Sequence, residues 1–171
     1  MDRLDRVEGD LMIAATAVRP LRDSAARLAD PSALRREAAD RGYLFFRRLI
    51  DPAEVLALRS LVLEVCREFG ALAEGSALMD GVARPETRLG DYDDPRWVAL
   101  QCRVMPSPDF RRLGENAAVR GVLETIFEGP ALGERGDTCR VFSPNTPDLT
   151  TLPHQDRYYV RGEPALWTVW I

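Results

Sequence analysis

Apolar positions recur with helical spacing most clearly between residues 51 and 70. Asp51-Pro52-Ala53-Glu54 opens this stretch with a capping residue, a proline suited to the first turn and an acid that can reach back to the cap. Apolar side chains then follow every three to four positions up to Gly70, at Val55, Leu58, Leu61, Val62, Val65, Cys66 and Phe69. The pattern predicts an amphipathic helix that buries this stripe in a core.

Two further segments carry helix signals at their ends. Asp30-Pro31 predicts a capped helix start, and Gly42 is a residue type that ends helices. A third helix is predicted from Asn116 to Phe127, where Gly129-Pro130 stops it. The aperiodic stretch Ala71–Pro95 is too long for an idle connection, and we expect it to be a functional lid or locally disordered.

Extended patterns appear between the first two helices and again near the end of the chain. Tyr43–Phe46 predicts a short buried strand because it is aromatic and follows a glycine. After Gly136 we expect strands at Asp137–Ser143, Thr150–Val160 and Ala165–Ile171, the last two joined by a turn at 161–164. The chain therefore predicts a single α+β domain over residues 1–171, helical to about residue 130 and with a β core starting at about residue 137.

Composition and charge narrow the class of protein. The chain has 171 residues, of which 46% are apolar, and a net charge of −4 that gives no reason to expect a nucleic-acid partner. The apolar run Leu11–Val18 follows four acids and two arginines, so it is not a secretory signal, and no stretch is long enough to span a membrane. We expect a cytoplasmic protein whose three cysteines are reduced.

The candidate chemistry lies in His154-Gln155-Asp156, which contains the only histidine of the chain. In a strand, His154 and Asp156 would point to the same face and could occupy two adjacent corners of an octahedral metal site. Non-haem iron oxygenases bind their metal with two histidines and one carboxylate, leaving positions open. The tripeptide alone is not specific, and a hydrogen-bonded strand histidine without a metal is the alternative interpretation.

The surrounding residues resemble the phytanoyl-CoA dioxygenase family. The resemblance is carried by Leu152-Pro153-His154-Gln155-Asp156-Arg157-Tyr158-Tyr159 followed by Leu166-Trp167-Thr168-Val169-Trp170-Ile171. Upstream, Tyr43–Phe46 before Asp51–Glu54 and the stretch from Phe110 to Gly129 are also similar to the family pattern. The similarity covers most of the chain from Asp30 onward, and the HQD and tryptophan segments are its most specific part.

This resemblance implies a double-stranded β-helix (jelly-roll, cupin-like) core that binds Fe(II), with 2-oxoglutarate as co-substrate and dioxygen as oxidant. His154 and Asp156 would be the metal ligands, and Trp167 and Arg140 would line the 2-oxoglutarate pocket. Tyr158 would share the ligand face if the strand continued straight past Asp156, and it would then contact substrate. The implied activity is hydroxylation of a small organic metabolite, without indication of which one or of the oligomeric state. Core packing for Trp167, an ion pair for Arg140 and an amphipathic position for Tyr158 are the alternatives.

The sequence departs from the family pattern in its last third. It lacks the second histidine and the downstream arginine that family members use, so we expect the native protein to extend by about a hundred residues beyond Ile171. We expect residues 1–171 alone to bind metal weakly and to show no uncoupled decarboxylation of 2-oxoglutarate. If succinate did form, Asp148 or Glu163 would be the first candidates for the missing ligand. A catalytically inactive remnant or binding module without iron turnover is the alternative function, and a cupin-type binding domain without iron is a third.

Overall fold

Four of the helices begin in the same way, with a capping side chain followed directly by proline. The computed structural model describes residues 19–89, 94–133, 137–144, 154–160 and 165–171. Within them, helices α1 to α6 span Pro31–Arg41, Pro52–Glu68, Pro95–Val104, Pro108–Gly114, Ala117–Phe127 and Arg157–Val160. Short 3-10 turns lie at Ala25–Arg27 and Leu78–Asp80.

The proline-led helices are capped from the residue before each proline. Asp30, Asp51, Asp94 and Ser107 each accept a hydrogen bond from a backbone N–H of the first turn, at 2.8–3.2 Å. Proline at the first helical position costs no hydrogen bond, since its missing N–H would have no partner within the helix. The predicted starts of α1 and α2 are confirmed, and α3 and α4 use the same signal.

Helix α5 is the third helix that the sequence predicts, and its start is also confirmed. Asn116 caps it by accepting from the N–H groups of Ala118 and Val119. The Asn116 amide also donates to Glu54 Oε2 at 3.4 Å, which links the N-termini of α5 and α2. The spacing of Glu54 predicts a hydrogen bond to the cap of its own helix. In the structure its carboxylate accepts a hydrogen bond from Asn116, the cap of another helix.

The main core lies between α2, α3 and the segment that joins them. Its buried side chains are Val65, Cys66, Ala71, Leu72, Leu89, Leu100 and Val104. Helix α2 packs against α3, α4 and the 3-10 turn at Leu78–Asp80. Cys139 and Val141 pack against the same core, although they lie far along the chain. These contacts fix the position of the segment 137–144, which carries Arg140.

A smaller unit forms where α1 packs against α5 and the first 3-10 turn. Leu34 and Ala38 of α1 and Val122 of α5 are buried. Glu37 of α1 accepts hydrogen bonds from the fully buried Ser24 at 2.8 Å and from Arg41 at 2.6 Å. The hydrogen bond from Ser24, with the charges of Arg41 and Arg27, holds the pKa of Glu37 below its usual value.

Glu37→Gln is expected to destabilise the protein at neutral pH and to do so less in acid. The folded-state pKa of Glu37 lies below that of the unfolded chain, so the ionised carboxylate stabilises the fold above the usual glutamate range. This contribution is lost as the pH falls through the folded-state pKa. Denaturant titrations of both proteins from pH 7 to pH 3 measure the difference in unfolding free energy. Glu124→Gln, an exposed change on α5, is the control, and a difference independent of pH would contradict the assignment.

The predicted β core is wrong. The described residues contain no sheet and only two isolated bridges, Asp23 with Phe45 and Leu72 with Ala83. Residues 137–144 and 165–171 are irregular, and the stretch expected to be a strand at Thr150–Val160 ends in helix α6. The structure is therefore helical where it is regular, and it does not fit the start of a double-stranded β-helix.

Two local expectations also need correction. The predicted strand at Tyr43–Phe46 contributes one bridging residue, Phe45, whose carbonyl accepts from Ser24 N–H at 2.7 Å. Residues 71–89 of the predicted lid pack on α2 and bury Ala71, Leu72 and Leu89, so this part is neither a lid nor disordered. The run Leu11–Val18, residues 90–93 and the turn at 161–164 lie outside the described residues. None of the helices in the described part is long and apolar enough to cross a membrane.

Candidate functional site

His154 and Asp156 lie on a turn that leads into helix α6. His154 Nε2 is 3.0 Å from Asp156 Oδ1, and the two side chains are 31% and 39% exposed. The Tyr158 N–H donates to the Gln155 carbonyl at 3.1 Å, which closes the turn around Asp156. The two side chains are adjacent, as the sequence predicts, but a turn brings them together rather than the alternation of a strand.

The two oxygens of the Asp156 carboxylate have different partners. Oδ1 faces His154 Nε2, while Oδ2 accepts a hydrogen bond from Thr168 Oγ1. The hydrogen bond from Thr168, followed by the hydrogen bond and charge of His154 and the charge of Arg140, lowers the pKa of Asp156 below its ordinary value. Asp156 is therefore ionised at neutral pH, which is the form that binds metal ions.

A third ionisable residue close to this pair is Arg140. Its guanidinium lies near enough to contribute to the lowered pKa of Asp156, and its side chain is exposed. The preceding residue, Cys139, is held by Gln101 of α3 through both of its backbone groups. Gln101 Nε2 donates to the Cys139 carbonyl at 2.6 Å, and the Cys139 N–H donates to Gln101 Oε1 at 3.2 Å.

The segment that carries Arg140 is held at a second point. Ser143 Oγ donates to the Leu89 carbonyl at 2.7 Å, and Val141 packs on the core between these two attachments. The stretch that carries Arg140 is therefore held before this residue by Gln101 of α3 and after it by Leu89 of the α2–α3 connection.

Trp167 and Tyr158 are placed differently from His154, Asp156 and Arg140. Trp167 is half-buried and directly precedes Thr168, so its segment reaches the site through the Thr168 hydroxyl. Tyr158 is 79% exposed and lies in α6. A strand that continued past Asp156 would have placed Tyr158 on the face of His154 and Asp156, but Tyr158 lies in a helix, so this placement is wrong and its role in substrate binding stays a prediction.

The His154–Asp156 geometry suits two neighbouring ligands of one metal ion. Ligands at right angles with bonds of about 2.1 Å are separated by about 3.0 Å, which matches the distance between Nε2 and Oδ1. Nitrogen and carboxylate oxygen are also the donor types that non-haem Fe(II) sites use. No group of three or more potential ligands occurs in the described ranges, and Asp148 and Glu163 lie outside them.

Thr168 and Gln101 are the contributors that sequence reasoning missed. Thr168 appears in the sequence only as part of the Trp167-Thr168 motif, and nothing local connects it with Asp156 twelve residues earlier. Gln101 lies in α3. Asp94-Pro95 indicates where this helix starts, but it does not indicate which group the side-chain amide of Gln101 binds.

Comparisons with known proteins give no relative for this chain. No protein-family model, curated protein or solved structure matches it.

Proposed function

We propose that the protein is a non-haem Fe(II)- and 2-oxoglutarate-dependent dioxygenase that hydroxylates a small organic molecule. The observation that carries the proposal is the pairing of His154 Nε2 and Asp156 Oδ1 at 3.0 Å, with a carboxylate that is ionised at neutral pH. The similarity of the HQD and tryptophan segments to the phytanoyl-CoA dioxygenase family supports the choice of iron. The proposal includes a cytoplasmic location, which the three free cysteines favour.

His154 and Asp156 are the residues that would hold the metal. His154 would bind through Nε2 of the neutral ring, which then carries its proton on Nδ1, so metal binding would replace the 3.0 Å contact between Nε2 and Asp156 Oδ1. Bound Fe(II) would supply the activation of dioxygen coupled to decarboxylation of 2-oxoglutarate. The protein contributes the ligand pair, the orientation of the carboxylate and a nearby cation.

Arg140 is the residue that we assign to the co-substrate. A guanidinium can hold a carboxylate through two parallel hydrogen bonds, and 2-oxoglutarate carries a carboxylate at each end. The charge of Arg140 contributes to the lowered pKa of Asp156, and its segment is held by Gln101 at Cys139 and by the hydrogen bond from Ser143 to Leu89. Trp167 would cover one side of the same pocket with its half-buried ring.

Anaerobic titration with Fe(II) tests the ligand pair. We expect weak binding by the wild-type chain and at least about tenfold weaker binding by His154→Ala and Asp156→Asn, since each removes one of two donors. Asp156→Asn keeps the shape of the side chain and removes its charge. Asp40→Asn, an exposed change on α1, is the matched control and should bind as the wild type does.

Added imidazole sharpens this test. The chain has one histidine, so a two-histidine site needs a second imidazole from outside it. Free imidazole is expected to strengthen Fe(II) binding by the wild type and to leave Asp156→Asn unaffected. Succinate formed from 2-oxoglutarate under dioxygen is then measured for both. Equal Fe(II) binding by all variants would contradict the metal assignment.

The alternative, a module that binds a partner or ligand without iron turnover, predicts a different result. In that case the wild-type chain should form no succinate from 2-oxoglutarate under dioxygen even with added imidazole, whether or not Fe(II) protects it against thermal unfolding. Succinate formation that depends on Asp156 would exclude this alternative.

A further inference from the structure

The Asp156 carboxylate is held from two sides by residues of different segments. His154 Nε2 faces Oδ1 from two residues away, and Thr168 Oγ1 donates to Oδ2 from twelve residues away. A carboxylate that is free to rotate exchanges its two oxygens at little cost. Here the Thr168 hydroxyl occupies one oxygen, so the carboxylate plane and the oxygen that faces His154 are both fixed.

We propose that Thr168 is a positioning residue that orients the Asp156 carboxylate for metal binding through Oδ1, an inference that rests on the function proposed above. Residues that hydrogen-bond to metal ligands fix ligand orientation and are worth about 10- to 100-fold in metal affinity. Thr168 does not itself bind the metal, because its hydroxyl hydrogen points to the opposite oxygen of the carboxylate.

Thr168 also joins two parts of the chain that are otherwise separate in sequence. Its segment, 165–171, contains Trp167, and the turn contains His154 and Asp156. The hydroxyl thus joins the segment that carries Trp167 to the turn that carries the ligand pair. Both roles depend on the hydroxyl donor and not on the methyl group of the threonine.

Two substitutions at position 168 separate the donor from the shape. Thr168→Val keeps the branched shape and removes the donor, while Thr168→Ser keeps the donor and removes the methyl group. In anaerobic Fe(II) titrations of the full 171-residue chain, we expect Thr168→Val to bind about 10- to 100-fold more weakly than the wild type. Thr168→Ser is expected to bind within about threefold of the wild type, on the same grounds.

Thr125→Val is the matched control, because it removes a hydroxyl that donates to the Gly121 carbonyl within α5. Denaturant titration of each variant accompanies the binding measurement. Thr168 is exposed, so we expect Thr168→Val to unfold at nearly the wild-type midpoint while its Fe(II) affinity falls. A merely structural role would lower stability and affinity together and would not be rescued by serine.

The outcomes separate this inference from the proposed function. Wild-type chain that binds no Fe(II) overturns the proposed function, and the inference with it. Wild-type binding with equal affinity in Thr168→Val overturns the inference alone. Thr168→Ser as weak as Thr168→Val also overturns it, since the hydroxyl would then not be the group that matters.

Discussion

Leu100→Ala is expected to lower the free energy of unfolding by about 2 to 5 kcal/mol, the usual cost of removing a fully buried leucine. Leu100 lies in α3, has no exposed surface and packs in the core with Val65 and Leu72. The substitution removes apolar contact area and leaves a cavity that the rigid helices on either side cannot close. A loss of this size is a large part of the stability of a domain of this length.

Leu56→Ala is the matched control for this prediction. Leu56 is 50% exposed on α2, so the same chemical change removes far less buried surface. We expect a cost within about 0.5 kcal/mol, as for most surface substitutions. Urea titration monitored by tryptophan fluorescence gives both values. Equal costs for the two variants would show that α3 does not form the described core.

The helices of the protein could largely be predicted from their starts. Asp30-Pro31, Asp51-Pro52 and Asn116 marked α1, α2 and α5, and all three caps are made by these side chains. Asp94-Pro95 and Ser107-Pro108 carry the same signal for α3 and α4. These two helices were missed because a short helix shows few turns of apolar periodicity. The apolar pattern is therefore weak, although the capping signal is strong.

The β core was wrongly predicted because alternation says only that one side of a segment is apolar. A strand also needs a neighbour that takes its backbone N–H and C=O groups, and that partner is a non-local property. For Cys139 the partner is the Gln101 side chain, which offers a carbonyl and an amide in the arrangement of a neighbouring peptide. The segment 137–144 therefore packs as an irregular stretch in the described structure.

In the candidate site, too, contacts between residues close in sequence could be predicted and contacts between distant segments could not. His154 and Asp156 are two residues apart, so any tight backbone conformation can bring their side chains together, and their adjacency was predictable. The contact of Thr168 with Asp156 joins two segments, and the closeness of Arg140 depends on how 137–144 packs against α3. Sequence patterns rarely encode such contacts.

Gln101→Leu is expected to destabilise the protein by about 2 to 4 kcal/mol, because each buried backbone group that loses its partner costs about 1–3 kcal/mol. Gln101 is 7% exposed and serves both the N–H and the C=O of Cys139. Leucine has nearly the same size but neither donor nor acceptor. Cys139 is only half-buried, so water can reach part of the vacated space and the cost stays below the maximum.

The measurement that identifies the cause is amide hydrogen exchange at Cys139. In Gln101→Leu this amide should exchange faster than the overall loss of stability explains, because the segment that carries Arg140 opens locally. Cys102→Ser, an exposed change at the next position of α3, is the control and should leave the exchange unchanged. Unaltered exchange in Gln101→Leu would mean that packing of Val141 and the Ser143–Leu89 hydrogen bond suffice to hold the segment. Faster exchange together with weaker 2-oxoglutarate binding would connect the α3 amide to the co-substrate role that we propose for Arg140.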